Sequence, residues 1–254
     1  MASANLHATC SARPLHPLNT FLVLHPQHHN FVSISYPHPL TPSPPPVEVA
    51  IHTILYVRQI YPADLFIRRK KYDTPVFQSR HPGLNEYISG AVKAVGEELV
   101  QGTVAKVVVV IKDKEDAPLE RFVFALESMI EVEAFNKDTS VVDAMKPAVL
   151  SQYFRSFLVK LNMIEAQLGQ MYLGDDVSFA IVLELKDDQA PTAAVNKGDP
   201  PPWIPAEGSL TTAGASEEAQ LHVVRAVNTG IINLSLTVQE SDIKLRREKE
   251  LYDS

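Results

Sequence analysis

With 254 residues and 45% hydrophobic side chains, the chain can form one large or two small domains around a real core. Its formal charge of −7 argues against a surface built for tight nucleic-acid binding, and its single cysteine, Cys10, excludes an internal disulfide. No apolar run approaches the roughly 18 residues that a membrane-spanning helix needs.

Residues 1–46 hold one charged residue, Arg13, yet six of the nine histidines and nine of the nineteen prolines. Proline removes backbone donors and blocks helix, so this segment is expected to be disordered or weakly extended. FLVLH is too short for a signal-peptide core. The histidines are irregularly spaced and have no carboxylate among them, which argues against a metal site.

From Val47 the pattern changes. Val47, Ile51, Ile54, Leu55 and Val57, extended by Ile60 and Tyr61, predict a helix over 47–61 that Pro62 stops. Phe66–Val76, with RRKK and YDTP, reads as a short irregular hairpin. Leu84, Ile88, Val92, Val95 and Leu99 repeat at helical spacing after Pro82, with Gly102 as the stop. The β-branched run Val107–Ile111 suits a strand buried on both faces, and DKEDAP turns it back into a second strand over 119–126. A long helix is expected over 141–170, then a strand over 177–185. Residues 189–216 are rich in proline and polar side chains around the only tryptophan, Trp203. Two more strands, 221–227 and 231–238, flank the turn signal NTG, and the charged 241–254 reads as a solvated tail. The order predicts an α+β fold with helices on one side of an antiparallel sheet.

Catalytic patterns are missing from this sequence. There is no GxxxxGK[ST] loop, no GxGxxG after a strand, no GxSxG elbow and no CxxC pair. His52 reads as a packed helix histidine and His81 as a helix cap. Glu97–Glu98 and Asp175–Asp176 read as solvated faces rather than an acid–base dyad. Arg68–Lys71 is the one basic cluster, and a solvated loop is its simplest reading.

The segments VEVAIHTILYVRQIYP, FIRRKKYDTPV, HPGLNEYI and KVVVVIKDKEDAPLERFVF, with YFRSFLVKL and PPWI further on, resemble the HORMA-domain family. Within it they resemble the branch of mitotic-arrest-deficient-like accessory subunits of DNA polymerase zeta. The resemblance implies a HORMA domain over 47–240, with three helices packed on an antiparallel sheet. A mobile seat-belt segment from about residue 189 would close over a partner peptide. It implies a non-catalytic nuclear adaptor in translesion synthesis and DNA-damage tolerance, with no cofactor and no metal. The adaptor would capture a proline-containing peptide of the polymerase zeta catalytic subunit and bridge it to a Y-family inserter polymerase. Another HORMA protein or a second copy, and an AAA+ remodelling ATPase, are further implied partners. The alternative is a spindle-checkpoint adaptor acting on the anaphase-promoting complex.

Carried over by position, Tyr87 and Trp203 correspond to peptide-contacting residues. Arg68, Arg155 and Ala166 fall at the HORMA–HORMA contact, where Gln59 replaces an acidic residue. Leu221, Ser235 and Thr237 fall at the inserter-polymerase contact; Ser235 and Thr237 replace an expected glutamine and tyrosine. The family's first helix begins earlier than Val47, so the resemblance also implies that the natural N terminus differs from PSPPP.

Overall fold

The computed structural model describes residues 21–24, 46–128, 147–168, 171, 177–186, 189, 203–228 and 232–252. The first described element is strand β1, Phe21–Leu24. It lies inside the segment expected to be unstructured. Four apolar, proline-free residues gain a hydrogen-bonded neighbour on each side there, which satisfies a backbone otherwise left to water.

Helix α1 spans Pro46–Val57, with proline at a first-turn position where its missing N–H costs nothing. It ends four residues before the expected Tyr61. The cause is a Schellman motif: Gln59 N–H donates to Tyr56 O (3.0 Å) and Ile60 N–H to Leu55 O (3.0 Å). Gln59 adopts the left-handed conformation this requires, at φ 53°. Strands β2 (Phe66–Lys71) and β3 (Thr74–Ser79) then pair in full register. This hairpin is longer and more regular than expected. Tyr72 and Asp73 both have positive φ, the geometry of a two-residue turn that matches strand twist.

Helix α2 runs Pro82–Gln101. His81 caps it, Nδ1 accepting from Leu84 N–H at 3.2 Å, and Gly102 ends it at φ 72°. Both roles match the sequence reading. Glu98, expected on a solvated face, is instead buried: its carboxylate accepts from Thr103 Oγ1 at 2.9 Å. Strands β4 (Val104–Asp113) and β5 (Pro118–Ser128) form the expected hairpin. Helix α3 covers Pro147–Asn162, and a single turn, α4, covers Glu165–Leu168. The expected helix over 141–170 is therefore broken near Met163, and its first residues, 141–146, lie outside the described residues, as do Asp175 and Asp176.

Strands β6 (Val177–Leu185), β7 (Trp203–Pro205), β8 (Gln220–Asn228) and β9 (Ile232–Glu240) complete one seven-stranded sheet. Its order is β7-β1-β6-β4-β5-β9-β8, and among the described residues all neighbouring strands are antiparallel. The expected α+β architecture is thus present. Val107, Val109 and Ile111 pack toward the helices with Ile51, Ile54, Leu55, Ile88 and Leu161. Val108 and Val110 face the other way and pack with Val123, Val182 and Leu210. Two covered faces explain the uninterrupted β-branched run; each large side chain buried there contributes about 1.5–3 kcal/mol.

The C-terminal segment is not a solvated tail. Asp242–Tyr252 form helix α5, whose Lys244 is buried. Opposite charges four apart, Asp242 with Arg246 and Lys244 with Glu248, support the helix.

His52 is buried on α1, and among the described residues neither ring nitrogen has a hydrogen-bond partner. Burial holds its pKa down at about 4. A neutral-only histidine favours folding above the unfolded value of 6.5 and loses that contribution as pH falls toward 4. Stability should therefore drop by about 3 kcal/mol over that window. His52→Leu should remove this component from urea denaturation midpoints measured at pH 7 and pH 4.5.

Candidate peptide-binding site

The sheet edge beyond β6 carries a short extended strand of the chain itself. Strand β7 does not pair with β6 directly; one strand position, filled by β1, separates them. Leu22 pairs with Leu183 of β6 and Pro205 of β7, and Val23 with Val182 and Ile204. Leu24 lies opposite Trp203. Trp203 is buried in the helix-side core, which also takes in Tyr87 on α2 as a half-buried member. Tyr87 packs edge-on against Phe179 of β6 at 5.6 Å. Burial drives its pKa up to about 12, partly offset by a hydrogen bond with the backbone of Ile181. Ile181 is the β6 residue just beyond the end of the β1 pairing. The structure therefore brings Tyr87 and Trp203 to the same strand position from two different elements.

After β7 the chain crosses the opposite face of the sheet. Leu210 inserts among Val108, Val110, Val123 and Val182. Glu184 of β6 accepts from Thr212 N–H at 2.6 Å and from Thr212 Oγ1 at 2.7 Å. Lys106 Nζ sits 3.1 Å from Glu184 and donates to Thr212 Oγ1 at 2.7 Å. Arg121 donates to Ser209 O at 2.5 Å; burial lowers its pKa, while Glu184 and Asp242 oppose that shift. Gly214 is required here, because a Cβ would stand 2.0 Å from Gly208 O. None of these pinning residues was singled out in the sequence. Glu184 inside an apolar strand, preceded by Lys106 inside another, was the available signal.

A buried ion cluster lies at the ends of β5 and β9. Arg58 grips Glu120 with two bonds, 2.9 Å from Nε and 2.6 Å from Nη2. Lys244 lies 2.8 Å from Glu120, contacts Glu240, and donates to Leu168 O at 2.8 Å. Burial opposes the charge on Lys244, but Glu120 and Glu240 outweigh it and its pKa rises. Arg58, Glu120, Glu240 and Lys244 are all buried, two cations against two anions. His222 of β8 adds a 2.6 Å contact to Glu240.

Leu221 and Thr237 fall on the β8–β9 hairpin, with Leu221 opposite Gln239 and Val223 opposite Thr237. Ser235 is two residues from Thr237 and so shares its face. Leu221 and Val223 are 61% and 65% exposed, an apolar pair beside those two hydroxyls. Arg68, Arg155 and Ala166 are all exposed. Arg68 lines a cavity of about 1180 Å³ with Gln59, Val159, Met163 and Glu165, next to Ala166. Arg155 lines two neighbouring hollows, one with Lys70, Lys71 and Asp73 and one with Val159 and Arg225. Arg68–Lys71 form the solvated hairpin, with Lys70 3.0 Å from Asp73.

Comparison with known proteins gives the family. The HORMA domain family matches residues 46–168. The zebrafish protein "Mitotic spindle assembly checkpoint protein MAD2B" is 33% identical over 201 residues, covering 78% of this chain and 89% of that protein. The chain belongs to the HORMA-domain family. The rat protein of the same name is 41% identical over 122 residues, and there the match spans only 54% of the relative's length. The "DNA polymerase zeta processivity subunit" of Schizosaccharomyces pombe is 38% identical, covering 55% of this chain and 65% of that protein. Among solved structures, a chain of the Mitotic Checkpoint Complex aligns with TM-score 0.58 at 19% identity, covering 77% of this chain and 94% of that one. C. elegans HTP-2 bound to an HTP-3 closure motif aligns with TM-score 0.55 at 11% identity, covering 77% and 82%. Both share the HORMA fold. Among the described residues, no helix is long and apolar enough to cross a membrane, and no cluster of three metal-ligating side chains occurs.

Proposed function

We propose that this HORMA protein is a non-catalytic adaptor that holds an extended peptide of a partner between β6 and β7. The observation that carries this reading is the single strand position enclosed by those two strands, with Trp203 at one side and Tyr87 at its end. Added strands bind through main-chain hydrogen bonds, and side-chain pockets select the sequence. The belt segment pinned by Thr212 and Leu210 closes the site, so release requires local unfolding and is slow. The relative named as a polymerase zeta processivity subunit supports that polymerase's catalytic subunit as the source of the ligand, and the family resemblance implies that the captured peptide contains proline. The exposed Leu221–Val223 pair with Ser235 and Thr237 is then the surface offered to a Y-family inserter polymerase. Arg68, Arg155 and Ala166 are the contact offered to another HORMA protein or a second copy. An AAA+ ATPase is the class of partner that would reopen the belt. Such work is nuclear, in translesion synthesis and DNA-damage tolerance.

The relatives' checkpoint name favours a second reading, an adaptor regulating the anaphase-promoting complex. Calorimetry with a catalytic-subunit peptide and with a peptide from the activator of that complex separates the two. Binding of the first alone is expected; binding of the second alone would replace the polymerase reading. Tyr87→Ala should weaken the bound peptide by about 2 kcal/mol or more if Tyr87 is a hot spot. Tyr87→Phe keeps the packing on Phe179 and should lose less. Equal affinity for wild type and Tyr87→Ala would remove Tyr87 from the site.

A further inference from the structure

We propose that Phe21–Leu24 are a ligand in cis: the chain's own N-terminal segment fills the slot that a partner's extended peptide would take. This rests on the slot's being the partner site. Strand β1 is antiparallel to both neighbours, with Phe21 opposite Glu184 and Leu24 opposite Trp203. It is also the only strand that joins β7 to the sheet among the described residues. Without an occupant, β6 and β7 would each present an unpaired edge toward the gap.

The segment has the chemistry of the ligand class proposed above. FLVL is uncharged and apolar, and Pro17 and Pro26 flank it, so it is an extended strand bounded by prolines. Its register places it against the same two aromatic positions, Trp203 directly and Tyr87 at the next step along β6. Its tether also fits. Residues 25–45 separate it from α1 and reach at most about 75 Å when fully extended. The strand can therefore dock or leave while the helices and β4–β5 stay in place. A tethered ligand acts at an effective concentration on the order of millimolar. Four residues can hold the slot on those terms and still yield to a longer peptide with more contacts. The outcome is a protein whose belt is propped in the filled arrangement before any partner arrives. Partner capture is then an exchange of strands rather than entry into an empty site.

The test uses the full chain carrying Leu22→Pro and Val23→Pro together. Successive strand amides point to opposite sides, so the pair removes one donor toward β6 and one toward β7. His28→Pro/His29→Pro, outside the strand, is the control. Hydrogen exchange read by mass spectrometry should show amides of 181–185 and of Trp203 and Ile204 at least tenfold less protected in the Leu22/Val23 variant, with 107–111 unchanged to show that the core persists. A synthetic peptide of residues 17–28 added in trans should restore the protection. Equal protection in variant, control and wild type overturns the cis ligand. The catalytic-subunit peptide gives the separate reading: it should bind the variant about tenfold tighter than wild type. Equal binding to both proteins overturns the cis ligand and leaves the partner site standing. Binding to neither, with protection lost and restored as described, supports the cis strand and instead removes the partner reading.

Discussion

Glu120→Ala is expected to lower the unfolding free energy by about 3–5 kcal/mol, among the largest effects of any single substitution in this chain. Glu120 is fully buried and faces two cations, the guanidinium of Arg58 and the ammonium of Lys244. Its removal leaves Arg58 without its bidentate partner and Lys244 with one carboxylate fewer. Neither cation can reach water without moving the end of α1 or the start of α5. Lys244→Met is expected to cost less, because Glu120 keeps Arg58 and Glu240 keeps His222. Urea denaturation of the two variants checks the order. A loss under about 1 kcal/mol for Glu120→Ala would mean that the cluster is hydrated and acts like a surface pair. The location gives the number a functional side. The same four charges tie α1 to β5, β9 and α5, and β9 carries the hairpin with Leu221 and Thr237. Exchange protection in β9 should fall further than that in β4.

That cluster also shows where sequence reading stops. Glu120 follows Leu119 in a strand of large apolar residues, and a buried acid there demands a cation. Nothing local says that one cation comes from 62 residues upstream and another from the C-terminal helix. The last segment reads as solvated on charge content alone. Its i, i+4 pairs, Asp242–Arg246 and Lys244–Glu248, were the better guide, since they mark a helix whatever its charge. The end of α1 was hidden for a related reason. Pro62 is the visible stop, but Gln59 ends the helix earlier in a conformation usually left to glycine or asparagine.

Where periodicity was strong the reading was close. The apolar repeat and Gly102 locate α2, and the run Val107–Ile111 locates a strand covered on both faces. What covers the second face could not be read. It is the segment around Leu210, reached through a proline-rich stretch with no period of its own. Likewise FLVL carries a strand's composition, but its partners lie some 160 to 180 residues away. Tyr87 and Trp203 stand out in the sequence only through the family resemblance. Their approach to one strand position follows from the sheet order.

Trp203→Ala is expected to abolish most peptide capture while leaving the core folded. Truncating a buried tryptophan costs about 3–5 kcal/mol where the whole fold must absorb it. Here it need not. Trp203 sits in a three-residue strand whose only sheet neighbour among the described residues is β1. Its loss can therefore be met by local detachment of β7 rather than by global unfolding. The thermal midpoint should fall by less than a core truncation such as Ile181→Ala. The affinity for the captured peptide should fall by about 2 kcal/mol or more, roughly thirtyfold. Trp203→Phe keeps an aromatic anchor and should recover part of it. Calorimetry with hydrogen exchange at residues 203 and 204 reads both quantities on one protein. A large drop in melting temperature with unchanged affinity would make Trp203 a core residue only. The segment after β7 would then be held by Leu210 and Thr212, whose contacts to Val182 and Glu184 grip β6 from the opposite face.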